Sequence, residues 1–332
     1  MTCSAAKELE WRFAANGLKL VIRAVDEELA RIFLPHLSVF SASELTEVDY
    51  TIRLVRGEPE MPPADAELIY DGDLVPGVRA RLLTRGDLRW LLIPDRLTIR
   101  FTPSSAHYTV AETCERFHVA LTAMNAMEAA LAAAGQFLLH GAALQIPSRS
   151  AAMLIFAPSG RGKTTTSLAL ALGGFSLMTD DAIALAPGNG PGQQTVAWGL
   201  PRALKVHRKT VDLLPELAPL VSGTYDRNGE QAVKAAALSS IAPVASHTPL
   251  SVAAVVVLRE RTEGAHLFRP LAKTSALTDI AEDNVRRAPG GVAANHMARF
   301  RAIATLIEQT PTYELRVGDD LKGVAQVIRK GI

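Results

Sequence analysis

Residues 151–185 read AAMLIFAPSGRGKTTTSLALALGGFSLMTDDAIAL. The run 151–157 is apolar without a break, short, and closed by Pro158 and Gly160, the pattern of a buried strand. TTTSLALAL follows as a helix, and FSLMT as a second strand that stops at Asp180-Asp181. Strand, loop, helix and strand in this order is α/β organisation. The pattern continues outward in both directions. FLLHGAAL (137–144) is a short apolar run upstream, SVAAVVVLRE (251–260) a strongly apolar strand downstream, and the tail from Asn295 reads as a helix, the strand YELRV and a last helix.

The loop of this stretch, Ala157-Pro158-Ser159-Gly160-Arg161-Gly162-Lys163-Thr164, has the form [A/G]xxxxGK[T/S]. Backbone N–H groups that curl around a polyphosphate need small residues where the chain approaches the oxygens, and Gly160 and Gly162 allow that curl. The helix that follows turns its positive end to the phosphates. Lys163 supplies a mobile point charge and Thr164 a hydroxyl for Mg²⁺. The nucleotide-binding set is therefore Pro158, Ser159, Gly160, Arg161, Gly162, Lys163, Thr164 and Thr165. Alanine stands at the first position, where the motif more often has glycine.

Asp180 and Asp181 end the next apolar strand, one short helix beyond the loop. Two adjacent carboxylates there can divide their work: one holds a metal ion or its water, the other accepts a proton from an attacking hydroxyl. His140 ends the strand before the loop strand, directly ahead of Gly141. A lone histidine is more often structural than functional, and the residues alone leave His140 open.

Upstream the chain changes character. LKLVIRAV, DYTIRLVRG and ELIYDGD are short β-type runs, and 78–102 reads as an antiparallel meander with turns at Arg85-Gly86-Asp87 and Pro94-Asp95. Residues 111–134 are rich in Ala, Leu, Met and Glu and run up to Gly135, a helix by propensity and by its C-terminal glycine. The expected division is a β-rich domain over 1–110, a linking helix within 111–136 and an α/β nucleotide-binding domain over 137–332. The polar stretch SGTYDRNGEQA (222–232) reads as a surface loop. No catalytic constellation occurs in the first hundred residues; an exposed sheet edge there could take up an extended peptide by strand addition.

The composition bounds the rest. The chain has 332 residues with 35 basic and 34 acidic side chains, so no charge excess points to nucleic acid or to an anionic membrane. No apolar stretch approaches the roughly 20 residues of a membrane span. Two cysteines, Cys3 and Cys114, and an N-terminus without a basic-then-apolar leader fit a reducing cytoplasm.

LLHGAAL, FAPSGRGKTTTSLAL and GGFSLMTDDAIAL together resemble the HPr kinase/phosphorylase family, whose core is related to the ATP-dependent phosphoenolpyruvate carboxykinases. The short spacing from Lys163 to Asp180 carries the resemblance, because most phosphate-loop NTPases place their metal-binding aspartate much farther along the chain. The HG dipeptide at 140–141 belongs to the same pattern. PRALKVHRKT, the closing RFRAIATLIEQTPTYELRV and the β-rich start look like the HPr-kinase-related proteins encoded beside peptide-modification systems, including lasso-peptide kinases. The resemblance implies a PEP-carboxykinase/HPr-kinase-like phosphate-loop domain that uses ATP and Mg²⁺. It implies Asp180 as the base that activates the acceptor hydroxyl, Asp181 and Thr164 beside the metal, Lys163 on the transferred phosphate, and His140 near the acceptor; the two aspartates could exchange roles.

One departure bears on the acceptor. The glutamate–arginine–glycine signature of true HPr kinases is replaced here by WGLPRALKV, without a glutamate, although Arg202 and Lys205 could still contact a phosphate or an acidic substrate. The expectation is a kinase that moves the γ-phosphoryl of ATP to a serine or other hydroxyl of a peptide or small protein, with homo-oligomerisation left open. The alternatives are a small-molecule hydroxyl kinase and a non-catalytic ATP-binding switch.

Overall fold

A computed structural model describes residues 8–42, 44–188, 193–226, 228–286 and 296–332. The chain divides after Gln136 into two compact units, the second built from 137–286 and 297–332.

The first unit is an eight-stranded sheet of β1 (Leu9–Ala15), β2 (Leu18–Ala24), β3 (Tyr50–Arg56), β4 (Glu67–Val75), β5 (Val78–Arg85), β6 (Leu88–Ile93), β7 (Leu97–Thr102) and β8 (Ser105–Val110). Their spatial order is β1-β2-β3-β8-β7-β6-β5-β4. From β4 to β8 every neighbour is antiparallel, whereas β2, β3 and β8 run parallel. A parallel pair needs a long crossover, and residues 25–49 provide one between β2 and β3, with two short helices, α1 (Glu27–Ala30) and α2 (Leu34–Leu37). The helix expected to link two domains is α3 (Arg116–Ala133). It packs on β2, β3, β7 and β8, burying Val119, Ala123, Ala126, Met127 and Ala130, and the Tyr108 hydroxyl donates to the Thr122 carbonyl at 3.1 Å. It is part of the first unit's core.

The second unit is a mixed sheet with helices on both faces. Its strands begin with β9 (Phe137–His140), β10 (Ala142–Gln145), β11 (Ala151–Phe156), β12 (Ser176–Thr179), β13 (Ala182–Ala186) and β14 (Val196–Gly199). A separate hairpin-like pair follows, β15 (Leu204–His207) with β16 (Glu230–Val233), and then β17 (Leu250–Leu258), β18 (Leu267–Pro270) and β19 (Thr312–Arg316). The order is β12-β10-β11-β17-β14-β13-β9, and β19 lies parallel to the C-terminal half of β17 with β18 outside it. The helices are α4 (Lys163–Leu172), α5 (Arg208–Leu213), α6 (Ala235–Leu238), α7 (Lys273–Ala281), α8 (His296–Gln309) and α9 (Val324–Gly331). The stretch 222–232, expected as a loop, ends in β16, because Glu230–Val233 pair with Leu204–His207; residue 227 lies outside the described residues.

The unbroken apolar run of β11 has its cause here. Met153 and Ile155 face a core that includes Leu168, Val256, Val324 and Ile328. Leu154 and Phe156 face a second core with Val255, Ile280, Ile303 and Leu306. A strand covered on both faces has no position for a polar side chain. This buried strand holds the glycine-containing loop 157–162 at its C-terminal end.

Candidate active site

Two backbone interruptions, side by side, build the site. β9 pairs with β13 so that His140 lies opposite Ala182, and β10 pairs with β12 so that Ala143 lies opposite Thr179. The first strand pair is interrupted at Gly141 and the second at Asp180-Asp181. Register alone therefore sets the His-Gly dipeptide against the two aspartates. Gly141 is required by space: a Cβ there would meet Ile183 Cδ1 and Phe156 Cε1, each at 2.9 Å.

The loop after β11 brings the third component. Gly160 (φ +78°) and Gly162 (φ +90°) take left-handed backbone that other residues rarely adopt, and Gly162 caps α4, which begins at Lys163. Residues 158–161 are exposed, whereas Lys163 is only 7% exposed. Its Nζ donates to the Ala157 carbonyl at 2.7 Å and lies 2.9 Å from His140 Nε2. Arg161 pairs with Glu260, and the Thr165 hydroxyl meets that of Thr210 at 2.8 Å, so these two side chains are held outside the centre of the site.

The aspartates have different surroundings. The Thr164 hydroxyl donates to Asp180 Oδ2 at 3.2 Å. Asp181 Oδ1 lies 2.9 Å from His140 Nδ1, and Asp181 Oδ2 accepts from Arg202 Nη1 at 2.5 Å. Thr164 is thus joined to Asp180; the sequence reading set Thr164 and Asp181 on the metal side but allowed the aspartates to exchange roles, and the strand end turns the second carboxylate towards His140. An ammonium group can only donate, so His140 Nε2 accepts from Lys163 and the ring proton resides on Nδ1, donated to Asp181.

Their acidities diverge accordingly. Asp180 is 5% exposed. Burial, with the neighbouring charge of Asp181, pushes its pKa up to about 6 against the pull of Thr164 and Arg202. Burial also works upward on Asp181, but the His140 hydrogen bond and the charges of Arg202 and Lys163 outweigh it and bring it down to about 2. Burial lowers the pKa of Lys163, opposed by Asp283, Asp181 and Asp180.

Asp180 is consequently a buried carboxylate short of positive charge, beside a hydroxyl. Hard oxygen donors of this kind suit Mg²⁺, which binds through one or two carboxylates together with substrate phosphates and needs no all-protein cage. Among the described residues no group of three or more His, Cys, Asp or Glu forms such a cage.

Arg202 joins the site; Lys205 does not, and lies 3.8 Å from Glu230 on the surface. Sequence reading missed Asp283 and Asn284. Asp283 Oδ2 lies 3.9 Å from His140 Nε2, and Asn284 Oδ1 accepts the His140 backbone N–H at 2.6 Å. A cavity lined by Ala157, Pro158, Ile280 and Asp283, among others, lies beside them. The signal for both residues is weak: a polar Glu282-Asp283-Asn284 triplet closing an otherwise ordinary helix.

No family model matches the chain, and neither does any curated protein. Among solved structures, the HPr(Ser) kinase/phosphatase from Coxiella burnetii is similar at 15% identity and a TM-score of 0.29, over 58% of this chain and 91% of that one. A likeness of that size says nothing about activity. No described helix is long and apolar enough to cross a membrane.

Proposed function

We propose that this protein is an ATP-dependent phosphotransferase of the HPr-kinase/carboxykinase type, which moves the γ-phosphoryl group to a hydroxyl of a peptide or small protein. One observation carries the reading: strand register and loop together place two contact groups at one strand end, Lys163–His140–Asp181 and Thr164–Asp180, joined through the adjacent residues 163–164 and 180–181. A chance glycine turn after a strand would not have an acid pair and a histidine converging on its lysine.

Thr164 and Asp180 would hold Mg²⁺. When bound, the ion neutralises charge on the phosphate oxygens. Backbone N–H groups of 159–164 cradle the β- and γ-phosphates. Phosphate oxygens are stronger acceptors than a backbone carbonyl, so Lys163 exchanges Ala157 for them and leaves His140 Nε2 with a free lone pair. The acceptor hydroxyl then donates to Nε2. As its oxygen bonds to the γ-phosphorus, the bond to the ADP oxygen breaks and the proton passes to Nε2. Asp181, firmly ionised, holds the ring by Nδ1–H and stabilises the imidazolium, the part an aspartate plays in a serine–histidine–aspartate triad. Arg202 keeps Asp181 in place. This division gives Asp180 the metal side and moves the base to the His140–Asp181 pair, with the roles of the aspartates exchanged from the sequence expectation.

A peptide acceptor is favoured over HPr because the glutamate-bearing signature is absent from WGLPRALKV. The test is incubation with Mg·ATP and either HPr or a peptide encoded beside the gene, followed by mass spectrometry for an adduct of about 80 Da, one phosphoryl group. Transfer to the peptide, absent from the Lys163→Ala variant, is expected. Transfer to HPr alone would overturn the acceptor, and no transfer from ATP to either of them, or to any small hydroxyl compound, would overturn the kinase reading.

A further inference from the structure

The helix α7 does not end in an ordinary turn. Residues Glu282–Arg286 continue it as a π-helical turn. Such turns are rare and cluster at functional sites. This one presents two consecutive side chains to the same histidine: Asp283 to the ring and Asn284 to the backbone.

Asn284 is 5% exposed, and all its polar groups described here are engaged. Its Oδ1 accepts from His140 N at 2.6 Å, its Nδ2 donates to the Ile280 carbonyl at 3.1 Å, and its own carbonyl accepts from Arg299 Nη1 at 3.2 Å. Arg299 is itself buried, on α8. The bond to His140 falls where β9 is about to be interrupted at Gly141. His140 N lies at the last residue of β9, so the Asn284 side chain continues the support of that strand from the helical layer. Moving this point moves the imidazole relative to both Asp181 and Lys163.

We propose that Asn284, set by the π-helical turn, is a positioning residue for His140: it fixes the strand end so that Nδ1 meets Asp181 and Nε2 faces the transferring phosphoryl group. The proposal rests on the kinase reading for its effect on turnover, but not for its effect on the ring. The hydrogen bonds of Asn284 go to His140, Ile280 and Arg299 and to neither the loop 158–165 nor the acid pair, so its loss should impair the chemical step more than nucleotide binding. A misplacement of about 1 Å can cost on the order of 10²-fold in rate.

The experiment uses the full chain labelled with ¹⁵N-histidine, the His140 signals being assigned by their absence in His140→Gln. Wild type should show His140 as the Nδ1–H tautomer. Folded Asn284→Ala should show the two tautomers exchanging, Mg·ADP affinity within about threefold of wild type, and Mg·ATP hydrolysis with kcat lower by about 10–100-fold at nearly unchanged KM. Asn284→Asp keeps an acceptor for His140 N–H and should retain the ring signals and most of the turnover. Wild-type ring signals and kcat in Asn284→Ala would overturn the proposal. If Asn284→Ala does not fold, Asn284→Asp decides: retained Nδ1–H signals support positioning, exchanging tautomers refute it. A wild type that turns over no ATP would sink the kinase reading alone, since the ring signals still report on Asn284.

Discussion

Asp71 and Asp180 are both aspartates beside other charges, and the two units treat them in opposite ways. Asp71 is on β4, the outer strand of the first sheet, where Arg79 and Arg81 reach it at 2.6 and 3.2 Å. The hydrogen bond from Arg79 above all, with both arginine charges, holds its carboxyl below the usual range. Asp180 follows β12, likewise an outer strand of its sheet, but is buried beside a second carboxylate, and burial holds its pKa up. The first sheet places opposite charges together where solvent already screens them. The second sheet keeps a carboxylate where solvent hardly reaches, and the Thr164 hydrogen bond and the charge of Arg202 do not offset its burial. The former is an ordinary surface pairing; the latter is the carboxylate to which the proposed kinase reading assigns Mg²⁺.

The largest expected effect comes from the cation of the second unit's site. Lys163→Ala removes the ammonium group that meets His140 and that the kinase reading sets on the transferred phosphate. Loss of one charged contact to a developing transition state costs about 10²–10³-fold in turnover. The fold should persist, because the lysine's partners are a backbone carbonyl and a histidine rather than core side chains. Phosphoryl transfer and circular dichroism check it together. Unchanged turnover in a folded variant would show that the second unit's buried charges have no catalytic purpose.

The strand–loop–helix at 151–172 was legible in the sequence because its causes are local. A strand covered on both faces reads as continuous apolar residues, and left-handed backbone calls for glycine. The meander at 78–102 was legible for the same reason, with Gly86 and Asp95 in left-handed backbone at its turns. The parallel trio β2-β3-β8 was not, because its register depends on a crossover of irregular sequence. Within the site, His140, Lys163, Thr164 and the acid pair belong to one recognisable spacing. The partnership of Thr164 with Asp180 was hidden: adjacent aspartates look alike until the strand end gives them different directions. Asn284 was beyond reach, since it meets His140 across 144 residues and no periodicity links them.

Two glycines sharpen the contrast at the next level of magnitude. Gly86, in a first-unit turn, has left-handed φ of +59° and open space around a Cβ. Gly141 faces Phe156 and Ile183 at under-packing distance. Gly141→Ala should cost about 1–3 kcal/mol by overpacking and should also displace His140. Gly86→Ala should cost about 1 kcal/mol through its backbone alone. Urea unfolding of both measures the difference; equal losses, with activity intact in each, would mean the bend at Gly141 is not tightly fitted.

The effects at the aspartates themselves, the smallest of them at Asp71, have a definite sign. The folded-state pKa of Asp180, about 6, lies above its unfolded value near 3.8. Its stabilising contribution is therefore fully present below pH 3.8 and lost as pH rises through about 6. Asp180→Asn removes this loss, so in EDTA at pH 7 the variant should be more stable than wild type, by about 1–3 kcal/mol. Asp71 behaves oppositely, since its folded pKa is depressed: its contribution is present above pH 3.8 and lost as pH falls below it. It is also exposed to solvent screening, so Asp71→Asn should leave the melting temperature at pH 7 within about 1 °C of wild type, and less sensitive to added salt. Melting curves of both variants between pH 3 and 8, without metal, make the comparison. Destabilisation of Asp180→Asn at pH 7 would mean that the buried carboxylate already has its counter-charge within the protein, and the case for a cation beside Thr164 would fall with it.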